Sequence, residues 1–279
     1  MNLLTYLSKI QQPFPTMTIR SKAILSLICL CASTYIWAQS SPKHSINLVF
    51  IGNSITQGAL LTDPLHEAPP VRTVEWLNQQ PNISEVHYSN QGVSGNTTVD
   101  FLPAIETCFP KVVAAMQGLV QAHPNALPVF SIMLGTNDSA CSGTLGAPVS
   151  GPQYYTNLKA IIDELLIHFP LAHFILHRPI WYSENTYNGA RYLAEGQKRL
   201  ASYTPQLAKL IGHYAQVRPD QVHEGDTQAA AYFERHHTTE LIPEKGFAGT
   251  FYLHPNAQGA QKLAQLWGKA IYRVLYQAQ

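Results

Sequence analysis

Charged residues are scarce in this chain: Asp, Glu, Lys and Arg make up 13% of its 279 residues, about half of the fraction usual in soluble proteins. The two signs nearly cancel, with 18 Lys and Arg against 17 Asp and Glu. Neither sign is grouped into long runs. Nucleic acids are bound mainly through clustered Lys and Arg, so we expect no nucleic acid as a partner.

Cysteine is also rare, and of the four cysteines only Cys108 and Cys141 lie in the body of the chain. Two cysteines do not make a disulfide scaffold; they could pair or remain free thiols, and the sequence leaves both possibilities open. No cluster of metal ligands is visible either. The adjacent side chains of His236 and His237 would diverge, and no carboxylates accompany them at ligand spacing. We therefore expect no metal and no cofactor.

The N-terminal residues have the pattern of an export signal. Arg20 and Lys22 precede an apolar run over residues 23–31, which continues with small or apolar residues as far as Ala38. A polar stretch follows. This order is typical of a cleaved signal peptide, and the apolar run is too short and interrupted to be a good membrane-spanning helix.

The expected organisation is therefore a signal peptide over residues 1–38 and one domain over residues 39–279. We expect a periplasmic or secreted protein that has no stable association with a membrane after cleavage. Two alternatives stay open, namely an uncleaved N-terminal anchor and a lipoprotein attached through Cys29 or Cys31.

Short apolar segments rich in β-branched residues alternate with helical patterns along the rest of the chain. This alternation is typical of a parallel sheet that helices cover on both faces. We expect an α/β fold, a flavodoxin-like three-layer sandwich with a central, mostly parallel five-stranded sheet. The predicted strands are residues 46–51, 85–88, 129–134, 173–177 and a weaker one around 222–223. The predicted helices lie near residues 70–79, 99–121, 153–168, 188–215 and 257–276.

Four polar clusters lie where sheets of this kind bind ligands, beyond the carboxyl ends of the strands. Ser54 follows the first strand, Gly95 lies in the loop after the second, and Asn137 follows the third. His254 comes shortly before the last helix. Each cluster alone is typical of an ordinary turn. The Gly-x-Ser-x-Gly turn of α/β-hydrolases is missing, because Thr56 stands where its second glycine would be.

Taken in order, the four clusters resemble the signature of the SGNH hydrolases, also called GDSL-like esterases. The resemblance extends over residues 46–275. It implies that Ser54 is the nucleophile of an ester hydrolase and that His254 is its general base. It also implies an oxyanion hole made by the backbone N–H groups of Ser54 and Gly95 and by the side-chain amide of Asn137.

Two positions depart from the family's pattern. Asn53 stands where Asp is more usual, which removes a charge without removing the chemistry. Phe251 stands three residues before the histidine, where the family commonly has the acid of its triad. The group that orients His254 is therefore open. We favour a backbone carbonyl of residues 250–252, which would make a Ser–His dyad, over a carboxylate from Asp226, Glu240 or Glu244.

Two side chains after the fourth strand bear on the substrate. Arg178 could bind an acidic group, and Trp181 could stack on a sugar ring or simply pack in the core. With export and the resemblance, they favour a small-molecule or glycan ester as substrate, and removal of acetyl groups from carbohydrates as the reaction. The alternatives are a lysophospholipase, a broad short-chain acyl esterase and an inactive carbohydrate-binding relative. The sequence leaves the acyl group, the alcohol and the oligomeric state open.

Overall fold

The computed structural model describes residues 43–277. The predicted signal peptide and its alternatives, within residues 1–38, lie outside the described residues and stay predictions. The described part of the chain contains a main sheet, a separate two-stranded sheet, and helices on both faces of the main sheet.

All five predicted strands are present in the main sheet. They are β1 (His44–Gly52), β2 (Ile83–Gly92), β3 (Leu127–Met133), β4 (His173–Leu176) and β5 (Val222–Glu224). Every neighbouring pair is parallel, and the strand order is β2-β1-β3-β4-β5. This is the doubly wound order of flavodoxin-like folds. It confirms the predicted α/β architecture.

The helices connect the strands and cover the sheet. The long ones are α3 (Pro69–Asn78), α4 (Phe109–Ala122), α5 (Gly151–His168), α6 (Leu193–Val217), α7 (Ala229–Glu240) and α8 (Ala257–Tyr276). Three short turns of helix complete the set: α1 (Ser54–Gln57), α2 (Pro64–Glu67) and a 3₁₀ turn over Pro103–Ile105.

Two apolar cores lie on opposite faces of the main sheet. Leu48 and Phe50 of β1 point into one core, which they share with α3, α7 and α8. Val49 and Ile51 point into the other, which they share with α4, α5 and α6. Successive side chains of a strand face opposite sides, and here both sides are buried. This explains why residues 48–51 of β1 are a continuous apolar run and do not alternate with polar residues.

Two features differ from the sequence-based expectation. The helix predicted over residues 99–121 begins only at Phe109, because Pro103 and Pro110 lack backbone N–H donors and are tolerated only in the first turn of a helix. The sequence predicts no helix or strand between β5 and α8. It forms α7 and then an antiparallel hairpin of β6 (Leu241–Gly246) and β7 (Gly249–Pro255).

A membrane crossing needs a long helix of high hydropathy, and no helix within residues 43–277 meets that requirement.

A buried histidine lies at the carboxyl end of β4. The Nδ1 atom of His177 accepts a hydrogen bond from the backbone N–H of Asp226 at 2.9 Å, and its Nε2 lies 2.9 Å from Ser131 Oγ. Its ring stacks on Trp267 with 5.1 Å between ring centroids. Burial, and to a lesser degree the charge of Arg273, lower the pKa of His177 to about 3. The folded protein therefore holds this imidazole neutral.

The neutral His177 predicts a pH dependence of stability. As the pH falls from about 6.5 towards 3, the unfolded chain binds a proton at His177 and the folded chain does not, so the free energy of unfolding falls. In His177→Asn this contribution is absent. We expect wild type to lose stability more steeply than the variant between pH 6.5 and 4.5 in urea unfolding followed by tryptophan fluorescence. Equal slopes, or an NMR titration of His177 near pH 6.5, would contradict the assignment.

Candidate active site

Ser54 lies at the mouth of β1, at the first position of α1. The side-chain oxygen of Asn53 accepts a hydrogen bond from Ile55 N at 3.0 Å, and the Asn53 carbonyl accepts one from Gln57 N at 2.9 Å. Asn53 therefore caps the helix that presents Ser54. Capping needs an oxygen acceptor and no charge, so an Asn serves where an Asp is usual.

Two glycines shape the wall beside Ser54. A Cβ atom at Gly92 would lie 2.4 Å from the backbone nitrogen of Gln57, so a glycine is needed for α1 to cross the end of β2. Gly95 has a φ of 81°, in the left-handed region that side chains disfavour. The chain can therefore turn at Gly95, in the loop that the sequence predicted to supply an oxyanion donor.

His254 lies on β7 and reaches Ser54 directly. The distance from His254 Nε2 to Ser54 Oγ is 2.9 Å. Both residues are largely buried, with relative accessibilities of 8% and 9%. The two residues that the sequence selected, 200 positions apart, are thus brought into hydrogen-bond contact.

A carboxylate occupies the other side of the imidazole. Glu244 Oε1 lies 2.8 Å from His254 Nδ1 and also 3.3 Å from the backbone nitrogen of His254. The sequence favoured a backbone carbonyl of residues 250–252 at this place, and the structure has Glu244 there instead. An acceptor at Nδ1 assigns the ring hydrogen to that nitrogen and leaves Nε2 free to accept a proton from Ser54.

The hairpin explains how Glu244 reaches the histidine. In the β6–β7 pairing Glu244 lies directly opposite Phe251, the position three residues before His254 where an acid was expected. A carboxylate therefore lies across the hairpin from the position at which the family commonly has its acid. The hairpin is held by the segment after β4, because Ser183 N donates to the Tyr252 carbonyl at 2.9 Å and Tyr252 N donates to Ser183 Oγ at 2.8 Å.

The other two candidate acids have structural partners elsewhere. Asp226 accepts hydrogen bonds from the N–H groups of Gln228 and Ala229 at the start of α7, and burial raises the pKa of its carboxyl. Glu240 Oε1 accepts a hydrogen bond from the Tyr232 hydroxyl at 2.7 Å. Glu244 is the candidate acid that the structure places against His254.

Asn137 lies just beyond β3 with its amide held at both ends. Its Nδ2 donates to the backbone carbonyl of Asn96 at 2.8 Å, and its Oδ1 accepts a hydrogen bond from the Tyr192 hydroxyl at 2.6 Å. The first contact links Asn137 to the residue after Gly95, so the two predicted oxyanion donors are tied together. Tyr192 was missed by the sequence analysis, because no local pattern marks a contact over 55 positions.

A buried carboxylate ties the same two loops together. Asp138 accepts hydrogen bonds from the backbone N–H and the hydroxyl of Thr98, and Asn157 donates to the Thr98 hydroxyl at 2.8 Å. Burial raises the pKa of Asp138 to about 6. Asp138 thereby anchors the loop of Gly95 to the end of β3, a role that the sequence did not reveal.

Arg178 and Trp181 both have partners within the fold. The guanidinium of Arg178 pairs with Glu224 Oε1 at 2.7 Å. The Trp181 ring packs on His237 with 5.0 Å between centroids and borders the core that contains α8. Their predicted substrate contacts stay predictions, and packing is the role that the structure gives Trp181.

The two cysteines of the described chain are free thiols. Cys108 Sγ accepts a hydrogen bond from the Asn96 amide at 2.9 Å, and the Cys141 thiol contacts the Tyr192 carbonyl at 3.1 Å. Within residues 43–277, no three His, Cys, Asp or Glu side chains converge to hold a metal ion.

Known proteins share this fold. A two-domain esterase active on acetylated mannans is 18% identical with a TM-score of 0.52; the match covers 89% of this chain and 54% of that one, so the chain spans about half of that esterase. A catalytic variant of an acetylxylan esterase from Geobacillus stearothermophilus is 19% identical with a TM-score of 0.52, and the match covers 85% and 97% of the two chains. A carbohydrate acetylesterase from Sinorhizobium meliloti is 14% identical with a TM-score of 0.54, and coverage is 82% and 100%.

The sequence itself matches one protein family. None of the curated proteins matches the chain in sequence. The profile of the GDSL-like Lipase/Acylhydrolase family, in contrast, matches residues 50–262, which include Ser54, Gly95, Asn137, Glu244 and His254. The chain belongs to the GDSL-like Lipase/Acylhydrolase family, the family that the order of its polar clusters resembles.

Proposed function

We propose that this protein is a serine esterase that removes acetyl groups from carbohydrates through an acyl-enzyme on Ser54. The observation that carries the proposal is the continuous line of hydrogen bonds from Ser54 Oγ through His254 to Glu244. A nucleophile, a base in contact with it and a third group that orients the base are the parts that acyl transfer requires.

The first half of the reaction forms the acyl-enzyme. His254 Nε2 takes the proton of Ser54 as Oγ attacks the ester carbonyl, and the carbonyl oxygen becomes an oxyanion. The N–H groups of Ser54 and Gly95 and the Asn137 amide donate to it. The C–O bond to the sugar then breaks, and His254 returns the proton to the leaving alcohol.

The second half restores the serine. A water molecule gives a proton to His254 Nε2 and attacks the acetyl carbonyl on Ser54. The same donors hold the second oxyanion, the bond to Ser54 Oγ breaks, and Oγ takes the proton back from His254. Acetate leaves. Glu244 stabilises the imidazolium in both halves and keeps the ring in the orientation that the transfer needs.

The substrate class rests on similarity. Two of the structurally similar esterases act on acetylated mannans and on acetylated xylo-oligosaccharides, and a third is a carbohydrate acetylesterase. We also propose that the protein is exported, as its N-terminal residues predict. An exported enzyme would have access to polymeric glycans, which lie outside the cytoplasm.

Ser54→Ala removes the proposed nucleophile. We expect acetate release from acetylated xylo-oligosaccharides to be lost, with an unchanged thermal unfolding midpoint, because the hydroxyl has His254 as its partner and packing is kept. Ser45→Ala, at the opposite end of β1 where Oγ contacts Ser84, is the control and should keep full activity. Full activity of Ser54→Ala would refute the assignment of the nucleophile.

A substrate panel tests the carbohydrate assignment. Acetylated oligosaccharides should give the highest kcat/KM, ahead of lysophospholipids and of aryl esters with longer acyl chains. Faster hydrolysis of lysophospholipids would favour the lysophospholipase alternative. Binding of glycans without any ester hydrolysis would favour an inactive binding protein.

Glu244→Gln tests the acid. The amide keeps the size of the side chain but loses the charge that stabilises the imidazolium, so we expect kcat to fall by about 10³–10⁴, the scale known for triad acids. The measurement is acetate release at saturating substrate.

Glu240→Gln is the matched control for this experiment. Glu240 is a second buried carboxylate next to the hairpin, and its side chain accepts hydrogen bonds from Tyr232 and Gln258. Its replacement should leave kcat within about threefold. If Glu244→Gln stayed as active as Glu240→Gln, the Ser–His dyad would be the better description.

A further inference from the structure

The Tyr192 hydroxyl makes one hydrogen bond in this site. It donates to Asn137 Oδ1 at 2.6 Å, while Asn137 Nδ2 donates one of its hydrogens to the Asn96 carbonyl. An amide with its oxygen satisfied by one neighbour and one N–H bound by another has a fixed orientation. Asn137 Nδ2 donates no second hydrogen bond within residues 43–277, so its other N–H is left to donate to a ligand.

The phenol remains a donor under all ordinary conditions. Tyr192 is buried, with a relative accessibility of 3%. Burial raises the pKa of Tyr192 well above its usual value, and the nearby negative charges of Glu244 and Asp138 raise it further. The hydroxyl therefore keeps its hydrogen, and Asn137 receives a donor at that position.

The chain at Tyr192 breaks two local preferences. Tyr192 is the N-cap residue of α6 and its side chain makes no capping hydrogen bond, although Ser, Thr, Asp or Asn would satisfy that helix end. The next residue, Leu193, has a φ of 55°, in the left-handed region that is rare for a bulky side chain. Such departures are concentrated at functional sites.

Neighbouring groups hold Tyr192 in this conformation. Its backbone N–H donates to the Thr186 carbonyl at 3.2 Å, and its carbonyl accepts a hydrogen bond from Gly196 N at 2.9 Å. The Cys141 thiol contacts the same carbonyl at 3.1 Å. The Tyr182 ring packs edge-on against the phenol, with centroids 5.3 Å apart. The hydroxyl is thus pre-positioned before any substrate binds.

We propose that Tyr192 is a positioning residue for the oxyanion hole, which fixes the Asn137 amide so that its free N–H meets the developing oxyanion. The inference rests on the proposed function of Asn137. Tyr192 acts through Asn137 and does not itself contact the reacting atoms. A donor that is already oriented costs no reorganisation in the transition state, so its orientation should affect kcat and leave KM unchanged.

Tyr192→Phe removes one oxygen atom and tests the proposal. We expect kcat for an acetylated xylo-oligosaccharide to fall by about 10- to 100-fold, below the loss of about 10²–10³ expected for Asn137→Ala. KM should stay within about twofold. An alkylboronic acid, which forms a tetrahedral adduct on a serine, should bind more weakly by a similar factor.

Tyr203→Phe is the matched control. Tyr203 is another buried tyrosine, whose hydroxyl donates to the Val149 carbonyl at 2.7 Å, so its replacement also removes a buried hydroxyl. It should leave kcat within about threefold. An equal loss of kcat in both variants would overturn the proposal, because the effect would then belong to any buried hydroxyl in this region.

The double variant Tyr192→Phe/Asn137→Ala tests whether Tyr192 affects kcat only through Asn137. If Tyr192 acts only through Asn137, the double variant should be no slower than Asn137→Ala alone. Losses that multiply would overturn the proposal, as would full activity of Tyr192→Phe beside an impaired Asn137→Ala. Full activity of Asn137→Ala would instead overturn the proposed oxyanion role of Asn137, and the inference with it, and would leave the tests of Ser54 and Glu244 standing.

Discussion

The antiparallel pairing of β6 and β7 is the constraint on which the contacts of His254 depend. It brings Glu244 to one side of the imidazole, and the other side then faces Ser54. The pairing sets Glu244 opposite Phe251, and the carboxylate reaches Nδ1 of the histidine from the neighbouring strand. Nε2 is then turned towards Ser54. The hairpin therefore places a carboxylate beside His254, although no acid stands three residues before it in the sequence.

Hydrogen bonds also join three other segments of the site to one another. The loop of Gly95 is tied to the end of β3 twice, through Asn137 on Asn96 and through Asp138 on Thr98. Tyr192, at the start of α6, contacts Asn137 from the other side. Buried polar groups that are mutually satisfied are rigid, because breaking one contact leaves its partner without compensation. The network thus holds the proposed oxyanion donors in place before substrate arrives.

Much of the fold could be predicted from sequence because its signals are local. Each buried strand is a short apolar run, and the stripe of α8 that contains Leu263, Trp267 and Ile271 is visible from its spacing. Ser54 and His254 could be selected because the four polar clusters, taken in order, resemble the signature of the family. The structure places them 2.9 Å apart.

The rest of the site depends on contacts between distant residues. Glu244 was one of three candidate acids, and only the strand pairing distinguishes it from Asp226 and Glu240. Tyr192 carries no local signal, and by local preference it is a poor residue for its position. The helix expected over residues 99–121 begins only at Phe109, because Pro110 is tolerated only in its first turn.

The proposed mechanism is tested most directly by trapping the covalent intermediate. Wild-type enzyme would be mixed with an acetylated xylo-oligosaccharide, quenched in acid within the first turnover, digested and analysed by mass spectrometry. We expect one acetyl group on the peptide that contains Ser54, and its accumulation should be slower in Glu244→Gln. Turnover without an acetylated Ser54, or an acetyl group on a different residue, would contradict it.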